Sequence, residues 1–268
     1  MGIKQQKNTS IGDGDREVKR VLLMICAGAF CIGAVFLAAT VLFSACSAQA
    51  SSVIKTDGSA TISVQASMPE ALAAKFRKLA SVGDSSGAGQ TDSFFNASAI
   101  RSSLAKNPGI TVLSLEQPGP YSINLELSER SLDELASSSD LKKAGVLTLA
   151  RGPHWTECRF RLARGEASAL SALMPGIDPN LLDTLSPPAL EEDPVTVDEY
   201  KTMLKTVLGG KAMPAMEAAS IKLSITAPGA VIDSGGGSLS GSTLSATLPI
   251  IDLLVLEKPI EVWIRWKS

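Results

Sequence analysis

Cysteine and histidine are scarce in this chain of 268 residues, which holds four of the first and one of the second. Cys26 and Cys31 lie inside an apolar run and Cys46 at its end, so only Cys158 belongs to the remainder. An intramolecular disulfide there is excluded, and the fold must hold by packing alone. The lone histidine, His154, rules out a His-rich metal centre and leaves any histidine-based triad dependent on that single residue. Aromatics make up 4% of the chain, so a core has to come from Leu, Ile, Val and Ala. Basic excess is missing as well. The 222 residues beyond Cys46 carry 20 basic and 24 acidic side chains, which leaves no electrostatic footprint for nucleic acid.

What the chain does have is one long uncharged stretch, Val21 to Ala45. Lys4, Lys7, Arg16, Lys19 and Arg20 precede it against Asp13, Asp15 and Glu17, a positive flank that stays in the cytoplasm and sends the rest across the membrane. Read as a signal, residues 1–20 are the n-region and Val21 to Phe43 the h-region. Ser44 and Ala45 are then the small cleavage-site residues, and Cys46 is the lipidated residue of a bacterial lipobox. Phe43 stands where such boxes usually carry Leu. Read as an uncleaved transmembrane helix, the same stretch is long enough to span a bilayer. Both readings anchor the exported part to the membrane and place it in the cell envelope, facing the periplasm or the exterior.

The chain divides into 1–46 as signal or anchor segment, 47–58 as tether and 59–268 as one exported domain. Ser59 to Ser67 alternates like a half-buried strand. Pro69 opens a helix with Leu72, Phe76 and Leu79 on one stripe, and Asn96 caps a second that Asn107-Pro108-Gly109 stops. Ile110 to Glu116 and Tyr121 to Leu127 read as a hairpin about Gln117-Pro118-Gly119-Pro120, and Ser131 with Glu134 as a capping box. Val146 to Ala150 and Trp155 to Arg164 form a further strand pair that turns Cys158, Phe160 and Leu162 one way and Glu157, Arg159 and Arg161 the other. From about 165 to 219 the pattern is helical, with Thr196 and Glu199 boxing a helix whose stripe is Tyr200, Leu204, Val207 and Leu208. Alternating strands return at Ile221, Leu244 and Ile260. The expected fold class is α+β: an antiparallel sheet with helices covering one face and a helical insertion in the second half.

The turn-rich stretches Thr226-Ala227-Pro228-Gly229-Ala230-Val231, Ser234-Gly235-Gly236-Gly237 and Gly241 to Leu248, together with the lipobox and Asp57-Gly58-Ser59-Ala60-Thr61-Ile62, resemble LppM-type bacterial lipoproteins. That resemblance implies an α+β envelope domain without known catalysis, with a proposed role in holding amphiphilic envelope molecules. The helical stretch Gly165 to Ala219 has no counterpart in the pattern. Read locally, the glycines at 235–237 supply the positive φ of a hairpin between two strands.

No catalytic constellation lines up, and no cofactor or metal set is expected. Glu191-Glu192-Asp193 is one contiguous acidic run without the spaced oxygens of a calcium loop, and Gly235-Gly236-Gly237 lacks the Lys-Ser or Lys-Thr of a phosphate loop. Cys158 reads as a core thiol and Trp266 as core. Arg159 and Arg161 could fork an anion, Trp263 could touch a ligand or membrane from the opposite face, and the Tyr200 and Leu204 stripe could border an apolar cavity for a lipid. The expectation is a non-catalytic binding module whose partners are the membrane, a lipid ligand or an envelope protein, and not nucleic acid. The alternative is an interaction subunit of an envelope assembly anchored by an uncleaved helix.

Overall fold

The structure is a computed structural model and describes residues 47–83, 93–137, 145–164, 185, 187 and 194–268. The chain forms two compact units, Met1–Ser44 and Ala45–Ser268, and every described residue belongs to the second. Ser44, Ala45, Cys46 and the apolar stretch before them lie outside the described residues, as do Leu181, Leu182 and the acidic run 191–193. Among the described residues no helix is long and apolar enough to cross a membrane.

The second unit is α+β. In chain order its elements are β1 (Ser47–Ile54), β2 (Ala60–Ser67), α1 (Glu70–Gly83), α2 (Ala97–Leu104), β3 (Ile110–Gly119), β4 (Ser122–Glu129), α3 (Leu132–Ser137), β5 (Leu147–Gly152), β6 (Trp155–Leu162), α4 (Val197–Leu208), α5 (Met213–Ala218), β7 (Ser220–Thr226), β8 (Val231–Gly235), β9 (Ser238–Ser240), β10 (Thr243–Pro249), α6 (Ile250–Val255) and β11 (Ile260–Lys267). They build two sheets rather than one. Sheet A has the order β3-β4-β2-β1-β7-β10-β9 and sheet B the order β5-β6-β11-β8.

Three expectations are corrected. Residues 47–54 are not tether but β1, a strand at the centre of sheet A, antiparallel to β2 and parallel to β7. Sheet A is therefore mixed, because β1 and β7 are joined by a crossover of more than 160 residues and can run in the same direction. The glycines at 235–237 do not close a hairpin. They carry the chain from β8 in sheet B to β9 in sheet A, and a Cβ at Gly236, whose φ is +78°, would collide with the Glu261 carbonyl oxygen. The turn between β3 and β4 falls at Pro120–Tyr121, later than expected, because two bulges in β3 absorb extra residues.

Other signals fold as their chemistry dictates. Asn96 accepts from the Ala99 N–H at 2.9 Å, and Thr196 and Glu199 form a reciprocal capping box at the start of α4. The stripe Leu72 and Phe76 of α1 meets Tyr200, Leu204 and Leu208 of α4, Met213 and Met216 of α5 and Ile251, Leu254 and Val255 of α6 in one helical core. A second core lies between the sheets, where Ile54, Ile225, Leu244 and Ala246 of sheet A face Cys158, Val262, Ile264 and Trp266 of sheet B. Of the helical insertion expected near 165–219, α4 and α5 are described.

Candidate functional site

The packing leaves a chamber. Because side chains alternate across a strand, β1 turns Ala48, Ala50, Ser52 and Ile54 to the inner face of sheet A. Three of these are small, and they occupy the middle of a seven-stranded sheet. Ile221, Leu223 and Ile225 of β7 and Ile62 of β2 flank them at full height, so the centre of the sheet is short of volume and the layer opposite cannot close on it. The result is a cavity of about 400 Å³ between sheet A and the layer made by α1, α3, α6 and β6, bordered by both the helical and the inter-sheet core.

Its lining is apolar. Met68, Phe76, Phe95, Phe160, Leu248 and Leu254 are among its walls, and its polar side chains are three serines and the Cys158 thiol. No charged residue lines it among those described. The cavity runs the length of β1, from Ser47 at one end to Ile54 at the other, about 23 Å at the rise of an extended strand. Ser47 and Ser67, which share a hydrogen bond at 3.3 Å, are exposed and mark one end.

Cys158 points into this interior as its strand parity requires, and it is 5% exposed. Burial, with the neighbouring Glu157 charge adding to it, pushes its thiol up to about 12, so it is an inert wall residue and no nucleophile. His154 sits exposed in the β5–β6 turn. Tyr200 and Leu204 do not border the cavity: at 2% and 3% exposure they are consumed by the helical core, and the Tyr200 hydroxyl donates to the Leu185 carbonyl.

Arg159, Arg161 and Trp263 lie on the outer face of sheet B, where cross-strand pairing sets Glu157 beside Arg265, Arg159 beside Trp263 and Arg161 beside Glu261. Glu157 is buried beneath them and receives Arg265 Nη2 at 2.6 Å, Arg265 Nε at 3.0 Å and Arg159 Nε at 3.0 Å. Arg159 also pairs with Glu261. The Arg159 guanidinium lies 5.1 Å from the Trp263 ring centre, and that of Arg265 lies 4.6 Å from the Trp155 ring and 5.7 Å from the Trp263 ring. This corrects the anion-fork expectation at Arg159: two carboxylates already hold its guanidinium, and the face is a ladder of alternating arginine and tryptophan tied by Glu157 and Glu261.

A second, polar pocket of about 290 Å³ opens at the Ile54 end of β1. The β1–β2 loop gives it Lys55, Thr56 and Asp57, the start of α3 gives Ser131 and Asp133, β5 and β6 give Arg151 and Thr156, and β11 gives Lys267. Composition and spacing gave no sign of it, since its residues come from five separate places in the chain.

The class these features define is an α+β domain of two sheets with an apolar internal chamber. No family model and no curated protein matches the chain. A solved structure does: the NMR structure of the folded domain of the Mycobacterium tuberculosis LppM protein, 14% identical, with a TM-score of 0.38 over 83% of this chain and 91% of that one. At that score the similarity is distant and carries no argument about ligand or site.

Proposed function

We propose that the chain is a membrane-anchored, exported binding module of the bacterial cell envelope, a lipoprotein processed at Cys46, and that its chamber holds a lipid or another hydrophobic ligand. The observation that supports this reading is the cavity itself. The space of about 400 Å³ is partly open, and its walls present almost entirely apolar surface that gains free energy when it is covered. Water gains little from walls that offer it so few partners, whereas a hydrocarbon guest restores the missing contacts at about 0.8 kcal/mol per buried CH₂. Binding of this kind needs apolar surface and shape, which the lining of the chamber supplies.

The test is native mass spectrometry of the full chain extracted from its own membranes, beside Ala50→Leu and Cys46→Ala. Leu at position 50 extends from the middle of β1 into the cavity and takes the space of part of a guest without removing any contact. The expected result is a co-purifying lipid mass that falls at least tenfold in occupancy in Ala50→Leu while the melting temperature holds or rises. Loss of residues 1–45 with an acyl adduct absent from Cys46→Ala is the expected signature of lipidation. A chain that carries no lipid, or one whose lipid is indifferent to Ala50→Leu, overturns the chamber reading.

A further inference from the structure

Among the described residues that line the chamber, Ser47 and Ser67 are the exposed ones, so the space meets solvent at their end of β1 and β2. The walls beside this mouth hang on one turn. Ser67 pairs with Ser122, the first residue of β4, and just before it the Pro120–Tyr121 turn accepts two backbone hydrogen bonds. The Tyr121 carbonyl receives the Met68 N–H at 2.9 Å, and the Pro120 carbonyl receives the Phe94 N–H at 2.8 Å. Met68 and Phe94 both line the chamber. We infer that Ser93–Phe95 is a gate at this mouth, with Phe94 as its leaf and the β3–β4 turn as its post, and that a guest enters and leaves when this strap lifts from the turn. The inference rests on the chamber reading and adds the route to it.

The inner and outer sides of the strap differ in kind. Inward, the half-buried Phe94 lies against Phe76 of α1, with ring centres 6.4 Å apart, and meets Phe95 edge-on at 5.1 Å. Outward, polar side chains do the fastening. The Ser93 hydroxyl donates between the Phe95 carbonyl at 2.7 Å and the Pro120 carbonyl at 3.2 Å. Gln117 Nε2 donates to the Phe95 carbonyl at 3.2 Å and also to the Ser93 hydroxyl. Gln117 and Pro120 are exposed, so water takes over these partners when the strap lifts, and little is lost in the exchange. Phe95 is the hinge side: it is 8% exposed, packs with Ile100 of α2 and Ile123 of β4, and precedes Asn96, which caps α2. Other walls cost more to move. β1 is bonded along both edges, and α1 and α6 are fixed in the helical core by Leu72, Phe76, Ile251 and Leu254. Phe94 and Phe95 belong to no helix or strand, and a segment fastened by surface hydrogen bonds opens locally while the core stays folded.

The experiment follows the hydrocarbon probe diphenylhexatriene into the full chain in amphipol by stopped flow, with tryptophan excited and energy transfer to the probe recorded. Ala50→Leu fills the chamber from β1 and leaves the strap alone, so the signal it removes is the chamber's. Wild type is compared with Gln117→Ala, Ser93→Ala and the double variant. For the chamber signal, association and dissociation rates should both rise about fivefold or more in the double variant while Kd stays within about twofold, because a gate changes the barrier seen from both sides and not the equilibrium. Gln117 is exposed, so Gln117→Ala alone should melt with the wild type and show the same paired acceleration if the double variant melts early. Rates that do not move overturn the gate and leave the chamber standing. Faster dissociation alone, with a matching loss of affinity, makes the strap a fixed wall that touches the guest and overturns the gate as well. If Ala50→Leu removes no signal, the chamber reading falls and the gate falls with it.

Discussion

At the residue scale the Glu157 carboxylate controls the outer face of sheet B. Burial pushes its pKa upward, but hydrogen bonds and charge from Arg265 and Arg159 outweigh burial and hold it below the usual carboxylate value. A carboxyl depressed on folding stabilises the native state above its unfolded pKa, and that contribution disappears as pH falls through the folded pKa. Glu157→Gln should therefore lower the unfolding free energy by about 2 kcal/mol at pH 7, because two guanidinium groups lose their shared partner. The gap between variant and wild type should begin to narrow as pH falls below the ordinary Glu pKa of about 4.3 and go on narrowing through the depressed folded value, which urea titrations at a series of pH values descending from 7 would resolve. Some of this face was legible in the sequence. Alternation alone turns Cys158 and Trp266 inward and Arg159 and Trp263 outward. The ladder was not legible, because the partners that neutralise Arg159 and hold Glu157 include Glu261 and Arg265, about a hundred residues along the chain.

At the scale of elements, the helix caps and the alternating strands declared themselves, since their signals are local and chemical. β1 did not. Ser-Ala-Gln-Ala-Ser-Ser-Val-Ile presents small and polar residues on both faces, so neither its period nor its propensity marks a strand, and only the ladders from β2 and β7 make it one. The crossing between the sheets was hidden for a related reason. A run of glycines reads as a turn, whereas Gly235 leaves room for the Trp263 ring and Gly236 passes against the β11 backbone. Gly236→Ala should cost more than about 2 kcal/mol, since it combines a left-handed φ with a backbone collision that no side-chain rotation relieves. Thermal melts of the variant would show the loss, with the β8–β9 crossing as its origin.

At the scale of the whole molecule, the chamber depends on volume that is absent, and no pattern of residue types announces an absence of volume. Ala48, Ala50 and Ser52 matter only because they stand at the centre of a seven-stranded sheet, which becomes known when the strand order is known. A guest that binds the folded chain alone must stabilise it by mass action, so the delipidated protein should melt lower and recover its melting temperature on addition of decanol, with about 2.7 kcal/mol gained at a hundredfold excess over Kd. An unchanged melt would count against the chamber as a binding site. The placing of β1 carries a further, mechanical consequence. From Ser47 the chain is a strand bonded along both edges, so tension on its N-terminal end, drawn along the strand, loads two ladders in shear at once instead of unzipping one bond after another. Sheet A is in this sense a force clamp, gripping the chain from Ser47 onward.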